Sequence, residues 1–241
     1  MHRTLEDVQV DATPAVEGPL RVYVVLAALV LTATTTRTAV YVAAFATFAL
    51  LSVHAVGRAY VAFLGYPLSF LVPSLLLVAL VTPGDPVVEL WILALSDRGL
   101  DLAATTGLRA MASLSVLSFL ALTTTVPQLV AALDDLHLPD PVVELLLLVY
   151  RGIQVLVGQA TRRHTAARLR GGFDSRRNLF RTTKLVAASL LVSSVDRAEA
   201  FETAMNARNY AGRMPVPDYE SGGYAVAGVA LSVLVAARWV V

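Results

Sequence analysis

The chain has 241 residues, of which 56% are hydrophobic and 15% charged, and its mean hydropathy is +0.67. Soluble domains carry roughly 25% charged residues, so this composition excludes an ordinary globular protein and indicates a membrane protein. The absence of cysteine excludes disulfide frameworks, thiolate metal sites, iron–sulfur clusters and cysteine nucleophiles, while the formal net charge of +1 favours no class of partner.

Residues 1–19 predict a polar tail rather than a cleavable signal peptide. The segment holds four carboxylates and two prolines, and it lacks the immediate apolar core that a secretion signal requires. Membrane insertion is therefore expected to depend on internal segments. A spanning helix needs roughly 20 apolar residues that satisfy their own backbone hydrogen bonds.

Residues 20–125 are predicted to form four transmembrane helices, because they contain four long and predominantly apolar stretches. These stretches are residues 22–36, 38–57, 61–82 and 102–123. The first is short, and Arg37 divides it from the second, which predicts a helical hairpin. Pro67 and Pro73 imply a late start or a kink in the third. Pro127 ends the fourth, and a separate short helix is expected after it.

Residues 126–222 have a different chemistry. Twelve of the nineteen basic side chains lie between Leu136 and Gly223. Cytoplasmic segments of membrane proteins collect Lys and Arg, so we predict that this region and the amino terminus are cytoplasmic. A fifth spanning helix is predicted within residues 223–241, which places the carboxyl terminus outside.

Two long helices are predicted within residues 126–222. The first begins at Asp140, a plausible N-cap, and continues to Gly171-Gly172. The second begins near Ser175 and continues to the prolines at positions 215 and 217. Its apolar stripe consists of Leu191, Val195, Ala198, Phe201 and Met205.

The apolar faces of these helices need a partner. A basic insert between membrane spans has little soluble core of its own, so its stripes are expected to face each other, the bilayer or another subunit. Residues 142–160 are also apolar enough for a sixth span, although Glu144 and Arg151 would each cost roughly 2.5–3.5 kcal/mol at the bilayer centre. The sequence leaves this segment open between a span and a surface helix.

The ends of the two long helices resemble the arginine signatures of the transmembrane T component (CbiQ type) of energy-coupling factor (ECF) transporters. Arg168-Leu169-Arg170-Gly171 is similar to the first signature, and residues 204–212, preceded by residues 196–199, are similar to the second. Residues 123–138 resemble the family's run into this region. The fold class that follows is an all-α polytopic membrane protein with about five transmembrane helices and long cytoplasmic amphipathic coupling helices.

This chain departs from the family pattern at both signatures. The family usually has Ala-Arg-Gly, whereas this chain has Leu169-Arg170-Gly171 and Ala207-Arg208-Asn209. The arginine is retained each time. Asparagine tolerates the left-handed backbone better than other non-glycine residues, so a tight turn is expected to survive at Asn209.

The resemblance implies a transporter subunit with no ATP site of its own. It would join two cytoplasmic ABC ATPase subunits to a small substrate-binding membrane subunit within the lipid bilayer. Arg170 and Arg208 would dock one into each ATPase, with Gly171, Ala207 and Asn209 beside them. Arg151, Arg163 and Arg197 are weaker docking candidates, because pairing of Arg151 with Glu144, or of Arg197 with Asp196 or Glu199, explains them as well. Together with Glu199 they are expected to brace the coupling helices. The apolar stripe would contact the substrate-binding subunit.

The cargo is expected to be cobalt or nickel. Residues 66–70 and 133–151 look more like scaffolds dedicated to these metals than like those shared among vitamin carriers, for which biotin is the alternative cargo. No cysteine and no clustered histidine is available for a metal, so selectivity is expected to lie in the substrate-binding subunit.

Two other classes of protein stay open on the residues alone. Asp97 and Asp101 are four apart and could act as paired carboxylates of an intramembrane enzyme, but solvated charges in an external loop explain them better. A passive anchor or channel would not need two arginine-ended helices. His2, His54, His137 and His164 lack ligand spacing, and no glycine-rich phosphate loop occurs. We therefore predict no metal site, no cofactor and no nucleic-acid partner.

Overall fold

The computed structural model describes the whole chain except residues 1–7, 10–11, 84–85, 91–92, 211–218 and 240–241. The chain divides into two units, of which the first contains residues 1–132 and 217–241 and the second contains residues 133–216. The second unit falls inside the basic region at residues 126–222.

Helices dominate both units. The first unit contains α1 (Pro19–Thr34), α2 (Thr38–Val56), α3 (Arg58–Val81), α4 (Asp97–Thr123), most of α5 (Val126–Asp135) and α8 (Tyr224–Trp239). The second contains α6 (Asp140–Leu169) and α7 (Arg176–Ala207). A short antiparallel hairpin, β1 (Pro86–Leu90) and β2 (Leu93–Ser96), precedes α4. The sequence did not predict this hairpin, but the predicted all-α polytopic class is confirmed.

Among the described residues, four helices are long and apolar enough to cross a membrane, namely α2, α3, α4 and α6. Helices α1 and α8 are apolar but have 16 residues each, or about 24 Å of helix against a hydrocarbon core of about 30 Å. Three of the five predicted spans are therefore supported by length and composition. Helix α6, which the sequence left open, also satisfies both criteria.

Helix α3 begins earlier than predicted. It runs without interruption from Arg58 to Val81 and includes Pro67 and Pro73, so the late start was wrong. The chain turns from α2 into α3 at Gly57, whose φ of 60° suits glycine. Proline is tolerated within membrane helices because neighbouring groups satisfy the freed carbonyls.

Helix α4 also begins earlier, at Asp97 rather than near Leu102. Ser96 caps it, since the Ser96 hydroxyl accepts a hydrogen bond of 3.0 Å from the Gly99 N–H. The helix ends at Thr123, as predicted, and α5 follows as the expected short helix.

The core of the first unit lies between α1, α2, α4 and α8. Phe48 and Phe119 meet edge to face at its centre, with ring centroids 5.7 Å apart. Ala28, Ala44 and Ala112 are fully buried, which lets neighbouring helices approach closely. Helix α3 contributes few buried side chains, and its exposed surface is largely apolar, as expected for a helix that faces lipid.

Candidate functional site

Helix α6 carries the first arginine signature. It has 30 residues, with Pro139 at the N-cap and Asp140 in the first turn, so Asp140 is not the cap that the sequence predicted. A proline after the cap needs no backbone partner, and a carboxylate in the first turn is favoured by the helix dipole. Arg168 lies in the last turn, where the dipole favours a cation.

Helix α6 ends in a Schellman motif with Arg170 at the C-cap. The Gly172 N–H donates to the Ala167 carbonyl at 2.9 Å, and the Gly171 N–H donates to the Arg168 carbonyl at 3.1 Å. Gly171 has a φ of 69°, in the left-handed region. The glycine pair is therefore a stop signal with a clear backbone reason.

Helix α7 ends in the same motif, with Arg208 at the C-cap. The Tyr210 N–H donates to the Met205 carbonyl at 3.2 Å, and the Asn209 N–H donates to the Asn206 carbonyl at 3.1 Å. Asn209 has a φ of 53°, so the expected tight turn at this position is confirmed. The helix stops well before the prolines at positions 215 and 217, which lie outside the described residues.

Both arginines occupy equivalent positions. Arg170 has φ −94° and ψ 13°, Arg208 has φ −94° and ψ 14°, and both side chains are exposed. Gly171 is partly buried, whereas Ala207 and Asn209 are exposed. Each guanidinium therefore lies at a helix terminus that is fixed by backbone hydrogen bonds and accessible from solution.

The two arginines lie at opposite ends of α7. This helix has 32 residues, or about 48 Å of helix, and contains neither proline nor glycine. The Ser175 hydroxyl caps its start by accepting from the Asn178 N–H at 3.2 Å. Only the short turn at residues 171–175 separates this start from Arg170.

Two of the four predicted bracing residues join α6 to α7. Arg163 Nη2 donates to Ser193 Oγ. When the Gln159 amide is oriented with its oxygen towards Arg197, Arg197 Nη2 donates to that oxygen at 2.8 Å. Together with the 2.8 Å hydrogen bond from Thr182 Oγ1 to the Gly172 carbonyl, these contacts make α6 and α7 an antiparallel pair.

Within the part of the chain that the structure describes, Arg151 is not paired with Glu144, nor Arg197 with Asp196 or Glu199. Asp196 and Glu199 are one and two residues from Arg197, and helix residues at these spacings do not face each other. Glu144 and Arg151 are seven residues apart, about 10 Å along the helix axis. Arg151 and Glu199 are exposed.

The predicted apolar stripe of α7 is accessible. Leu191 and Val195 are 68% and 52% exposed, Ala198 is exposed, and Phe201 and Met205 are half-buried. No side chain of α7 is fully buried. The exposed part of the stripe, at Leu191, Val195 and Ala198, is therefore available for contact.

The remaining titratable candidates that the structure describes are scattered over both units. Asp97 and Asp101 are exposed in the first turns of α4. His54 belongs to α2 and His137 to the turn before α6, while the His164 ring packs on Phe173 with centroids 4.8 Å apart. His2 lies outside the described residues. The structure does not bring these side chains together.

A buried arginine in the first unit escaped the sequence interpretation. Arg21 is 2% exposed, and its Nε donates to the Val16 carbonyl at 2.8 Å. Its Nη1 donates to the Thr123 carbonyl and lies 3.5 Å from Thr124 Oγ1. The signal was present, since Arg21 is the only charged residue between Glu17 and Arg37 and adjoins an apolar run.

Arg21 belongs to a wider set of contacts that fix the segment leading into α5. The Tyr23 hydroxyl donates to the Ala132 carbonyl at 2.9 Å, and Gln9 Nε2 donates to the Ala121 carbonyl at 2.7 Å. The end of α4 is thereby hydrogen-bonded to Gln9 and Arg21, and α5 is hydrogen-bonded to Tyr23.

The turn geometry makes a testable prediction for the two signatures. Gly171→Ala should destabilise the protein by about 1–2 kcal/mol. The alanine would have to adopt the left-handed backbone of Gly171, and its Cβ would lie 2.6 Å from Asp174 Oδ2. Asn209→Gly should be nearly neutral. Thermal unfolding of the purified variants measures this, with a shift of roughly 2–4 °C per kcal/mol. Equal melting temperatures for both variants would contradict the left-handed turn at Gly171.

Comparison with known proteins identifies relatives over most of the chain. A model of the family CbiQ, cobalt transport protein, matches residues 8–217. A putative fused cobalt transport protein CbiMQ of Methanocorpusculum labreanum is 29% identical over 169 residues, which cover 68% of this chain and 28% of that protein. The cobalt transport protein CbiQ of Rhodobacter capsulatus is 36% identical over 124 residues, which cover 52% and 51% of the two chains. CbiQ of Salmonella typhimurium is 28% identical over 129 residues, which cover 54% and 57%. The chain spans less than two thirds of each of these relatives.

Proposed function

The chain belongs to the CbiQ family of cobalt transport proteins, and on that premise we propose that it is the T component of an ECF-type ABC importer. In this role it is a scaffold that carries the motion of two cytoplasmic ATPases to a small substrate-binding membrane subunit. One observation carries the proposal. Two exposed arginines, Arg170 and Arg208, cap long helices with the same Schellman geometry, about one α7 length apart.

Arginine suits a docking point that must transmit force. Its planar guanidinium offers five donors in a fixed fork, which can bind a carboxylate or the carbonyl end of a partner helix in one orientation. A Schellman motif fixes the backbone that carries it. Each helix end can therefore act as a rigid contact for one ATPase subunit.

The length of α7 determines what movement is possible. A continuous helix without proline or glycine cannot shorten, so Arg170 and Arg208 keep nearly the same separation unless the turn at residues 171–175 opens. When the ATPases close on ATP, we expect α6 and α7 to change their crossing angle. The contacts of Arg163 with Ser193 and of Arg197 with Gln159 lie where that rotation would be resisted.

The proposed topology keeps residues 126–222 and the amino terminus in the cytoplasm, with the carboxyl terminus outside. Helix α6 is long and apolar enough to span, but a span would place its start and the Arg170 turn on opposite sides of the bilayer. It would also bring Glu144 and Arg151 into the membrane at roughly 2.5–3.5 kcal/mol each at the centre. A cytoplasmic α6 avoids that cost and keeps both arginines within reach of ATPases.

The apolar stripe of α7 gives the scaffold a second contact. Leu191 and Val195 are more than half exposed, and Ala198, Phe201 and Met205 continue along the helix towards Arg208. We assign this stripe to the substrate-binding subunit. Rotation of α7 would then move the surface on which that subunit rests.

Cobalt is the proposed cargo, because the family and the named relatives are cobalt transport proteins. The chain itself has no cysteine and only four histidines, and the three that the structure describes are not clustered. Metal selectivity is therefore assigned to the substrate-binding subunit. A scaffold shared among vitamin carriers is the alternative.

Uptake and copurification test the proposal together. Cells that carry the whole complex should accumulate labelled cobalt and not labelled biotin, and the tagged chain should copurify with an ATPase pair and a small membrane protein. Asp97→Asn is the control for an enzyme, and it should leave uptake unchanged. Biotin uptake in place of cobalt would favour a shared vitamin scaffold, and a chain that purifies without ATPases would overturn the assignment.

A further inference from the structure

The first turns of α7 form a basic surface that the docking arginines do not include. Arg177, Arg181 and Lys184 are exposed. They are spaced by four and three residues, so they lie on one face of the helix. We refer to these three residues as the α7 basic face.

The α7 basic face points away from α6. The residues of α7 that contact α6 and its terminal turn are Thr182, Ser193 and Arg197. At 100° per residue, these three lie roughly 160° around the helix from the basic face. The basic face is therefore on the outer side of the antiparallel pair, free of its partner helix.

The sequence on either side of this face is nearly free of acidic residues. Asp174 is the only acidic residue between positions 152 and 195, and its carboxylate lies beside Gly171 in the preceding turn. Phe180, beside Arg181, is 76% exposed. Cations interleaved with exposed large apolar side chains are typical of helices that lie in a membrane interface.

Further along, the same face becomes apolar. Ala188, Leu191 and Val195 follow Lys184 at helical spacing, and all three are exposed. No charged residue occurs between Lys184 and Asp196. The outer face thus changes from basic to apolar along the helix axis, and Leu191 and Val195 in its apolar part belong to the stripe that we assign to the substrate-binding subunit.

We propose that the α7 basic face binds the anionic headgroups of membrane phospholipids. The bilayer is a permanent neighbour of a chain with membrane-spanning helices, so a weak electrostatic contact is formed at high effective concentration. The contact leaves Arg170 and Arg208 free, because neither belongs to this face. It would hold α7 at a fixed depth while its ends engage the ATPases, and it does not depend on ATPase docking.

A fluorescence experiment on the full-length chain tests this contact. The chain has no cysteine, so Ala188→Cys provides a single site for a polarity-sensitive fluorophore, one turn beyond Lys184. The labelled protein is reconstituted into vesicles of phosphatidylcholine alone or of phosphatidylcholine with phosphatidylglycerol. Headgroup-level nitroxide lipids in both mixtures report the proximity of the label by quenching.

We expect stronger quenching and a blue-shifted emission only in the anionic vesicles, with the difference removed by high salt. The triple variant R177Q/R181Q/K184Q should lose the preference for anionic lipid. Each charge removed should weaken headgroup binding about fivefold, and the loss of all three should weaken it on the order of a hundredfold. The matched variant R177K/R181K keeps every charge and should retain it. The salt titration of the unaltered protein needs no folding control.

Two results would overturn the inference. Equal quenching in both lipid mixtures would show that the basic face does not meet headgroups. A label that responds only to added ATPases, whatever the lipid, would assign the face to a protein partner. If the labelled chain failed to bind ATPases but was still quenched more strongly in anionic vesicles, only the proposed function would be contradicted.

Discussion

The paired substitution Arg170→Glu and Arg208→Glu is expected to abolish ATPase association and uptake. Removing a desolvated arginine from the centre of an interface typically costs 2 kcal/mol or more, or about thirtyfold in affinity. Two independent docking points would lose on the order of a thousandfold, and charge reversal adds repulsion to any carboxylate partner. Copurification of the ATPases and their affinity for the reconstituted chain measure the effect.

Arg162→Glu is the matched control for the docking arginines. Arg162 is exposed on α6 two turns before Arg170, but it does not cap the helix. It should retain both ATPases and uptake. If the double variant also retained them, Arg170 and Arg208 would not be the docking residues.

Arg21→Ala is expected to destabilise the first unit strongly. Arg21 is almost fully buried, and its loss leaves the Val16 and Thr123 carbonyls without their donor. Breaking a buried network of this kind costs about 3–5 kcal/mol. For a chain of this length the melting temperature of the purified protein should fall by on the order of 10 °C.

Arg109→Ala separates this effect from the loss of any arginine. Arg109 Nη2 donates to the Ala33 carbonyl at 2.9 Å, but its side chain is exposed. Replacing it should cost less than about 1 kcal/mol. Similar melting temperatures for Arg21→Ala and Arg109→Ala would show that the buried contacts do not hold the α4–α5 junction.

Local signals in the sequence located the end of α6 and the start of α7, whereas the predicted end of α7 at the prolines was wrong. Gly171-Gly172 predicts a stop because a left-handed residue is needed there, and Ser175 predicts a start because its hydroxyl caps the next turn. Asn209 follows the same rule. It ends α7 before the prolines, which were the more conspicuous but later signal.

Contacts between distant residues could not be predicted in this way. Arg21 meets a carbonyl 102 residues away, and Arg197 meets Gln159 on another helix. Neither pairing follows from spacing, whereas the adjacent carboxylates that the sequence favoured for Arg197 do not face it. The late start predicted from Pro67 and Pro73 was wrong because rules for soluble helices overstate the effect of proline in a membrane.

The length criterion alone also leaves the role of α6 undetermined. Its 30 residues include a stretch apolar enough to span, whereas the cations near its end favour the surface position that we propose. The basic composition of the surrounding segment decides between these in the proposed topology. We propose that α6 and α7 convert the closing of two ATPases into a change of the angle between the two helices.

A distance measurement between α6 and α7 in the working complex tests that claim most directly. The chain has no cysteine, so spin labels at Ile153→Cys and Thr203→Cys, both exposed and beyond the Gln159–Arg197 contact, report the angle between the helices. The account predicts a distance that differs between the ATP-bound and ADP-bound complex, and one that no longer responds in the Arg170→Glu and Arg208→Glu variant. An unchanged distance across nucleotide states in a complex that still transports cobalt would contradict it.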